Sequence, residues 1–575
     1  MDAYANGRSS PLRIVRRPLE PSAAQALAAA GVPPTLARIY AARGVRSIDE
    51  VEHDLARLPS WSAFKGIEDA AKRLADAVTR EERILIIADY DADGATACAV
   101  GIRGLKAMGA SVDFLVPNRF EFGYGLTPEI VALAAQRQPR LIITVDNGIA
   151  SVEGVAAAHS AGIDVLVTDH HLPGDALPSP AWIVNPNQPG CAFPSKNLAG
   201  VGVIFYVLSA LRSELRSRGH FAGTALPNLA SLLDLVALGT VADVVKLDHV
   251  NRILVEQGLR RIRAGRAQAG IRALLSVAKR DVERASAYDL GFVVGPRLNA
   301  AGRMADMSVG IACLTTDDSA VAQSLAAVLE QLNGERREVQ AVMQEQAMAA
   351  VDSMVAGDTY TLCVYRADWH QGVVGLVASR LKERFHRPVV AFAPASGGEL
   401  RGSGRAIDGF HLRDAFDLVA KRAPRTIERF GGHAFAAGLT LTAAALPRFA
   451  AEFETVARER LEPAALAQSI ETDGELEADE LGFDLAKALA RPVWGQGFPA
   501  PLFDGEFVVC DQRIVADKHR RLILACGGKR WEGIVFNDLA PLPKRIRAAY
   551  RPELNYYGGL AGLQLVIAAW YPPAE

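Results

Sequence analysis

From Ile84 to about Pro186 the sequence alternates short aliphatic and β-branched runs with alanine-rich stretches of helical period. The segments in order are RILIIADYD, ATACAVGIRGLKAMGA, SVDFLVPN, TPEIVALAAQ, RLIITVDNG, VEGVAAAHSAG, DVLVTDHH and AWIVNPN. This rhythm predicts strands joined by crossover helices, hence an α/β domain with a parallel sheet. Runs such as LIIA, LIITV and VLV lack polar alternation, as strands buried on both faces require. Ligands of such sheets gather beyond the carboxyl ends of the strands, and here each of those ends carries a charged or polar cluster.

The chain has 575 residues, enough for about three or four domains. Half of them are hydrophobic and 22% are charged, which excludes a disordered or fibrous chain. The expected division is an N-terminal arm over 1–50, a catalytic α/β domain over 51–290, a helical connector over 291–356, a second α/β domain over 357–460 and a small β-barrel over 461–575. The connector is expected to open with a glycine-rich polar loop, GPRLNAAGRM, and to continue as a long charged helix. The 63 basic residues against 65 acidic ones leave a net charge of −2, so any basic surface must be local. Six cysteines are spread singly without a CxxC pair, which predicts reduced thiols and no zinc ribbon. The first residues lack an apolar signal core, and no run of about 18 apolar residues is present. A cytoplasmic chain with no membrane partner is the expectation.

Three carboxylates, Asp89, Asp91 and Asp93, follow the strand ILII, with Gly94 permitting a sharp turn into a helix. Crowded carboxylates repel one another, and a divalent cation relieves that repulsion. An acidic loop capping the next helix is the alternative. Asp146 ends the next strand in VDNG, and Asp169, His170 and His171 end the one after it in TDHH. Single Asp residues at strand ends are usually turn formers, yet three adjacent strand ends with ligand side chains favour a site. Asp243, in the apolar stretch LGTVADVV, needs a partner for its charge, and a metal supplies one. Oxygen donors with one or two imidazoles and no thiolate suit paired Mn²⁺ or Mg²⁺ better than zinc. Two such ions favour hydrolysis of a phosphoester or phosphoanhydride.

DxDxDG, VDNG, TDHH and TVADVV resemble, in order, the four motifs of the DHH phosphoesterases. NRFEFGYGL, GPRLNAAGRM, WHQGVVGLVASRL, GSGRAI and FGGHAFAAGL extend the likeness from Ile84 to Leu439, and the chain is identified as a member of the RecJ family of single-strand-specific DNA exonucleases. WGQGFPAPLFDGEF resembles the opening of the oligonucleotide-binding (OB) domain of that family. The resemblance implies a DHH catalytic domain, a DHHA1-type second domain and an OB-fold. It places one metal at Asp91 with Asp146 bridging and the second at Asp93, Asp146, His170 and Asp243, with Asp89 and His171 in support. Ile87 occupies the place where related pyrophosphatases carry a histidine ligand. It also implies a 5′-to-3′ exonuclease releasing 5′-mononucleotides from single-stranded DNA in recombination and repair, served by a helicase and a single-strand-binding protein. A DHH hydrolase of short oligonucleotides or nucleotide phosphates is one alternative. A non-catalytic DNA-binding scaffold is another.

Arg119, Arg297, Arg303 and Arg405 stand beside Asn118, Asn299 and Ser403 in glycine-rich segments, a composition suited to bidentate phosphate binding or to ordinary salt bridges. The family resemblance implies that Arg119, Arg297, Ser403 and Arg405 grip the 5′-terminal phosphate, with Arg303 an alternative to Arg297. For His433, in GGHAFAAG, it implies contact with phosphate or nucleotide. His370 and Trp369 precede a similar glycine, and Trp369 reads as core or as a stacking platform. Between Asp511 and Arg551 basic residues predominate, among them Arg520, Arg521, Lys529 and Arg530. Trp531, Phe536, Tyr550, Tyr556 and Tyr557 are interleaved or follow closely, as single-strand-binding OB folds require, with about half of these rings expected in the core.

Overall fold

The computed structural model describes residues 12–117, 122, 125–354, 359–477, 479–556 and 562–572. Two units divide the chain. The first is Ser47–Glu335 with Pro492–Ala500, and the second holds the described residues up to Arg46, Arg336–Arg491 and the segment from Pro501 onward. The break between them falls inside one long helix, Ser319–Met354.

Strand β1 (Leu12–Arg16) opens the described chain and belongs to the second unit. The first unit is built on β2 (Arg83–Ala88), β3 (Ser111–Leu115), β4 (Leu141–Val145), β5 (Asp164–Thr168) and β6 (Trp182–Val184). All pairings are parallel, in the order β3-β2-β4-β5-β6. The chain therefore steps outward from β2 to β3 and then returns to the other side of β2. That reversal leaves a crevice at the carboxyl ends of β2 and β4, the place where open α/β sheets bind ligands. Ile84–Ala88 and Leu141–Val145 are buried throughout, as their unbroken apolar runs predict. Truncating a central side chain such as Ile86 to alanine would cost about 2–5 kcal/mol.

GPRLNAAGRM is not a loop. It forms the helix Gly295–Met304, preceded by a π-helical turn over Asp289–Val294. Pro296 sits in the first turn, where its missing N–H costs nothing. Gly302 serves close packing rather than flexibility, since a Cβ there would lie 1.9 Å from the Tyr90 carbonyl oxygen. The long connecting helix begins only at Ser319, after a further short helix, Ser308–Thr315.

The second unit contains a mixed sheet of β7 (Leu362–Tyr365), β8 (Val389–Pro394), β9 (Glu399–Arg405), β10 (Arg429–Gly432) and β11 (Ala436–Thr442). Its order is β10-β11-β9-β8-β7, and only β7 and β8 run parallel. Phe392, Phe416, Phe449 and Phe453 fill its core with rings packed on one another. Strand β12 (Gln468–Thr472) pairs in parallel with β1. The arm is thus held by a strand some 450 residues later in sequence, a long-range pairing that local pattern does not encode. Strands β13 (Phe503–Val515), β14 (His519–Cys526), β15 (Lys529–Val535), β16 (Arg545–Asn555) and β17 (Gly562–Tyr571) close a barrel in the order β13-β14-β15-β17-β16.

Pro492–Ala500, which carries WGQGFPA, packs with the first unit, and the first barrel strand begins after it at Phe503. The Leu247 N–H donates to the Gln496 carbonyl at 2.8 Å, and the Arg252 guanidinium lies 4.1 Å from the centroid of the Phe498 ring. All six cysteines are free. Among the described residues no helix is long and apolar enough to cross a membrane.

Candidate metal centre

The first carboxylates follow directly from the end of β2. Asp91 Oδ1 accepts from the N–H groups of Asp93 and Gly94 at 2.9 and 3.0 Å and so caps the helix Ala92–Ala107. The capping reading holds for Asp91 without excluding ligation, because a carboxylate has about four acceptor sites. Asp89 Oδ1 accepts from Tyr90 N–H at 2.7 Å. Asp93, fully buried, faces the start of the helix Gly200–Ser217, with Oδ2 2.7 Å from Gly200 N and Oδ1 3.0 Å from Val201 N. The positive end of that helix partly compensates the carboxylate charge.

Asp146 follows β4 in the left-handed region, at φ +62°, which Asp tolerates better than most residues. Asn147 Nδ2 donates to the carbonyls of Ile87 and Val145 at 3.2 and 2.9 Å and ties the ends of β2 and β4 together. After β5, Asp169 is buried and organises the turn. It accepts from Ile149, His170 and His171 N–H groups at 2.9, 2.7 and 3.1 Å and bonds His171 Nδ1 at 2.8 Å. Asn185 and Asn187 donate to the carbonyls of His171 and His170 at 3.0 and 2.6 Å. Asp243 closes the helix Leu233–Ala242 as its C-cap rather than lying mid-helix.

These elements bring the ligand types together. His170 Nε2 lies 3.1 Å from Asp146 Oδ1 and 3.5 Å from Asp243 Oδ2. Donor atoms form three overlapping groups, each within 4.8 Å: Asp89, Asp91 and Asp146; Asp93, His170 and Asp243; Asp146, His170 and His171. Burial, and after it the charges of Asp93, Asp91, Asp89 and Asp243, pushes the Asp146 carboxyl well up. Burial and neighbouring carboxylates raise Asp93 and Asp243 in the same way. Burial, with the charge of His171 behind it, holds His170 below its ordinary value, which favours the neutral form that ligates. Burial alone would lower His171, but its bond to Asp169 outweighs this and lifts it to about 9. The same bond holds Asp169 low against the effect of burial.

This donor set fits hard divalent cations. His170 Nε2 and Asp243 Oδ2 are buried and make no hydrogen bond among the described residues, and the carboxylates are disfavoured in their charged forms until a cation joins them. Mn²⁺ or Mg²⁺ matches these oxygen and imidazole donors, with no thiolate among them.

Several residues that support the site carry no charge and are not themselves ligand types. A Cβ at position 200 would lie 2.6 Å from Asp146 Oδ1, and one at position 239 would lie 2.8 Å from Asp93 Oδ1, so Gly200 and Gly239 make room for the carboxylates. Asn299, read as a neighbour of phosphate-binding arginines, accepts from Ala92 N–H at 2.9 Å and steadies the first turn after Asp91. A glycine opening or interrupting a helix beside a strand end is the signal that points to such contacts.

The phosphate-binding expectations divide. Arg119 and Asn118 lie outside the described residues. Arg297 is buried, pairs with Glu330 and donates to the Val293 carbonyl at 2.6 Å. Arg303 is partly buried on the same helix. In the second unit, Arg405 on β9 bonds Ser403 Oγ at 3.1 Å and the Gly404 carbonyl at 2.7 Å. Gly375 lines the same place, where a Cβ would lie 2.9 Å from Ser403 Oγ and 3.0 Å from Arg405 Nη2. Burial lowers the Arg405 pKa, and among the described residues no carboxylate forms an ion pair with it. That glycine-lined guanidinium suits an anion. His433 is exposed in the turn between β10 and β11. Trp369 is core, with Nε1 donating to Gln346 Oε1 at 2.8 Å.

On the barrel, Arg520 is buried and held by Gln512 and the Leu539 carbonyl, so its charge serves the barrel interior instead of the surface expected of it. Arg521 pairs with Glu532 across β14 and β15. Lys529 and Arg530 are exposed at the start of β15, and Trp531 beside them is half-buried. Tyr550 is core, while Phe536 and Tyr556 are exposed; Tyr557 lies outside the described residues.

A parallel sheet that gathers buried aspartates and a histidine at its switch point defines a metal-dependent phosphoesterase of the DHH class. The DHH family N-terminal domain matches residues 83–240, the DHHA1 domain residues 358–459 and the RecJ OB domain residues 472–569. The chain belongs to the RecJ family. It is 48% identical over 558 residues to the single-stranded-DNA-specific exonuclease RecJ of Salmonella typhimurium, covering 94% of this chain and 96% of that protein. The Escherichia coli protein of the same name gives the same identity and coverage. Among solved structures, RecJ of Thermus thermophilus in complex with Mn²⁺ matches with a TM-score of 0.82 at 29% identity, covering 98% of this chain and 80% of that one. The Mg²⁺ complex of that protein matches with a TM-score of 0.76 at 28% identity, over 98% and 79% of the two chains.

Proposed function

We propose that this protein is a metal-dependent exonuclease that degrades single-stranded DNA from its 5′ end to 5′-mononucleotides. One observation carries the reading: three donor groups linked through Asp146 and His170, at the switch point of the sheet, in a chain of the RecJ family. Asp89, Asp91 and Asp146 would hold one Mn²⁺ or Mg²⁺ ion, and Asp93, Asp146, His170 and Asp243 the other. When bound, such a pair polarises a phosphodiester and makes water a better nucleophile. The chain's own groups fix the geometry: Gly200 and Val201 N–H groups orient Asp93, while Asp169 orients His171 and the turn that carries His170. Water adds to phosphorus and the bond to the 3′ oxygen of the terminal nucleotide breaks. The released 5′-nucleotide then carries a 3′-hydroxyl and the remaining strand a new 5′-phosphate.

Ser403, Arg405 and Gly375 form the pocket we assign to that terminal phosphate, supported by a guanidinium that pairs with no carboxylate among the described residues. A pocket that reads a terminal phosphate selects the 5′ end of a strand as substrate. Arg119, Arg297 or alternatively Arg303, and His433 would add further phosphate contacts, and Lys529, Arg530 and Trp531 would be single-strand contacts of the barrel. A substrate limited to single strands calls for a helicase that unwinds duplex and a protein that coats the strand, in the cytoplasm where recombination and repair of bacterial DNA take place. The test is a 5′-phosphorylated 40-mer, single-stranded or duplex, incubated with Mn²⁺ or EDTA. The wild type should release mononucleotides from the single strand only with metal, and Asp146→Ala should release none. Binding without cleavage in every condition would overturn the reading in favour of a scaffold.

A further inference from the structure

Tyr288 and Phe292 are large, apolar and out in solvent, 60% and 72% exposed. Their rings are stacked, with centroids 5.0 Å apart and planes 24° from parallel. Neither ring contributes to the core of the first unit, so folding alone gives no reason for the pair. The rings flank and occupy the π-helical turn Asp289–Val294, and π turns are frequent at functional sites.

The position of that turn relates it to the metal centre. A Cβ at Gly291 would lie 3.0 Å from Val241 Cγ1, and one at Gly295 would lie 3.1 Å from Ala242 Cβ. The turn therefore packs on the last residues of the helix that ends in Asp243. Val244 follows at φ +64°, a strained conformation for a β-branched residue, with its side chain 62% exposed. Apolar surface thus lies immediately beside a carboxylate of the site.

We propose that Tyr288 and Phe292 form a base-stacking subsite that holds one nucleobase of a single strand next to the metal centre. The proposal rests on the nuclease reading. Two preassembled rings extend a base stack with little ordering entropy, and an aromatic face accepts any base. A paired base is stacked on both sides within a duplex and does not present a face to the platform, so the subsite favours unpaired strands.

The test uses the full chain with Mn²⁺ and 5′-phosphorylated oligonucleotides in which one abasic residue is moved stepwise along the strand. In the wild type, one position or two adjacent positions should raise KM about tenfold, as loss of a base–aromatic stack does. Tyr288→Ala with Phe292→Ala should raise KM about tenfold on the intact strand and should no longer respond to the abasic position. Tyr288→Phe with Phe292→Trp should restore both properties. A double-alanine variant with wild-type KM, or one that keeps the wild-type abasic profile, overturns the proposal. So does wild-type KM accompanied by loss of self-association in sedimentation, which would make the patch a protein-docking surface. If the wild type cleaves nothing, the nuclease reading fails on its own. Anisotropy with the same strands then decides the subsite separately, because the same abasic position must still weaken binding.

Discussion

The backbone N–H of Gly200 donates to Asp93 Oδ2 at 2.7 Å, and any side chain at position 200 would place its Cβ 2.6 Å from Asp146 Oδ1. One glycine therefore serves two carboxylates, donating to the first and leaving room for the second. Gly200→Ala should reduce exonuclease activity by at least about 100-fold, since displacing a catalytic group by 1 Å has that effect. Steady-state kinetics at saturating Mn²⁺, set against a small change in Tm, checks it.

Asp169 acts one step behind the ligands. Its four hydrogen bonds fix the turn that presents His170 and His171. Asp169→Ala should weaken Mn²⁺ binding about 10- to 100-fold, the usual result of losing a group that orients a ligand. Calorimetric titration of the variant against the wild type measures it.

Metal should stabilise the first unit and release protons as it binds. Burial and mutual repulsion raise the Asp93, Asp146 and Asp243 carboxyls, so near neutrality the metal-free site retains protons that ligation must expel. Affinity should fall as pH drops below neutrality, earlier than ordinary carboxylates would dictate. Titration in buffers of different ionisation enthalpy reads the released protons. At about 100 times Kd the ion should add about 2.7 kcal/mol, visible as a higher Tm than in EDTA.

His53 gives the first unit an acid-sensitive stability. Burial, followed by the charges of Arg252, His249 and Arg260, lowers its pKa from 6.5 to about 4. Between those values the unfolded chain binds a proton that the folded chain does not, so stability falls as pH decreases. The loss from pH 7 to pH 5 should be up to about 2 kcal/mol. His53→Gln should flatten that dependence in urea denaturation followed across the same range.

Arg43 and Asp473 form a bidentate ion pair at 2.7 and 3.0 Å, with side chains 1% and 3% exposed. Asp473→Ala leaves a buried guanidinium without its partner and should cost about 3–5 kcal/mol. Faster amide hydrogen exchange in β1 and β12 than in the wild type is the expected readout. Replacing both residues by apolar ones should restore much of the protection.

The candidate ligands Asp89, Asp91, Asp146 and His170 were legible in the sequence because they follow strand ends, whereas Asp243 caps a helix. An unbroken apolar run such as Leu141–Val145 specifies a buried strand, and the residue after it must lie at the ligand edge of a parallel sheet. Local pattern also separated the sheet-rich tail from the helical connector. It misread GPRLNAAGRM, because glycines that allow Gly302 to touch Tyr90 look the same in sequence as glycines that loosen a loop. Nor does local pattern show that Glu330 pairs with Arg297, or that Gln512 and the Leu539 carbonyl hold a buried Arg520.

By itself the sequence determined the alternation of strands and helices, the acidic and histidine residues at the strand ends, and with them the chemistry the chain can perform. Those properties depend on periodicity and residue type over a few neighbours. Only the tertiary structure decided that β1 pairs with β12, that Pro492–Ala500 joins the first unit, and that Gly200 touches Asp146. The reason is physical: such contacts join residues tens to hundreds of positions apart, and packing of whole elements, not local preference, selects them.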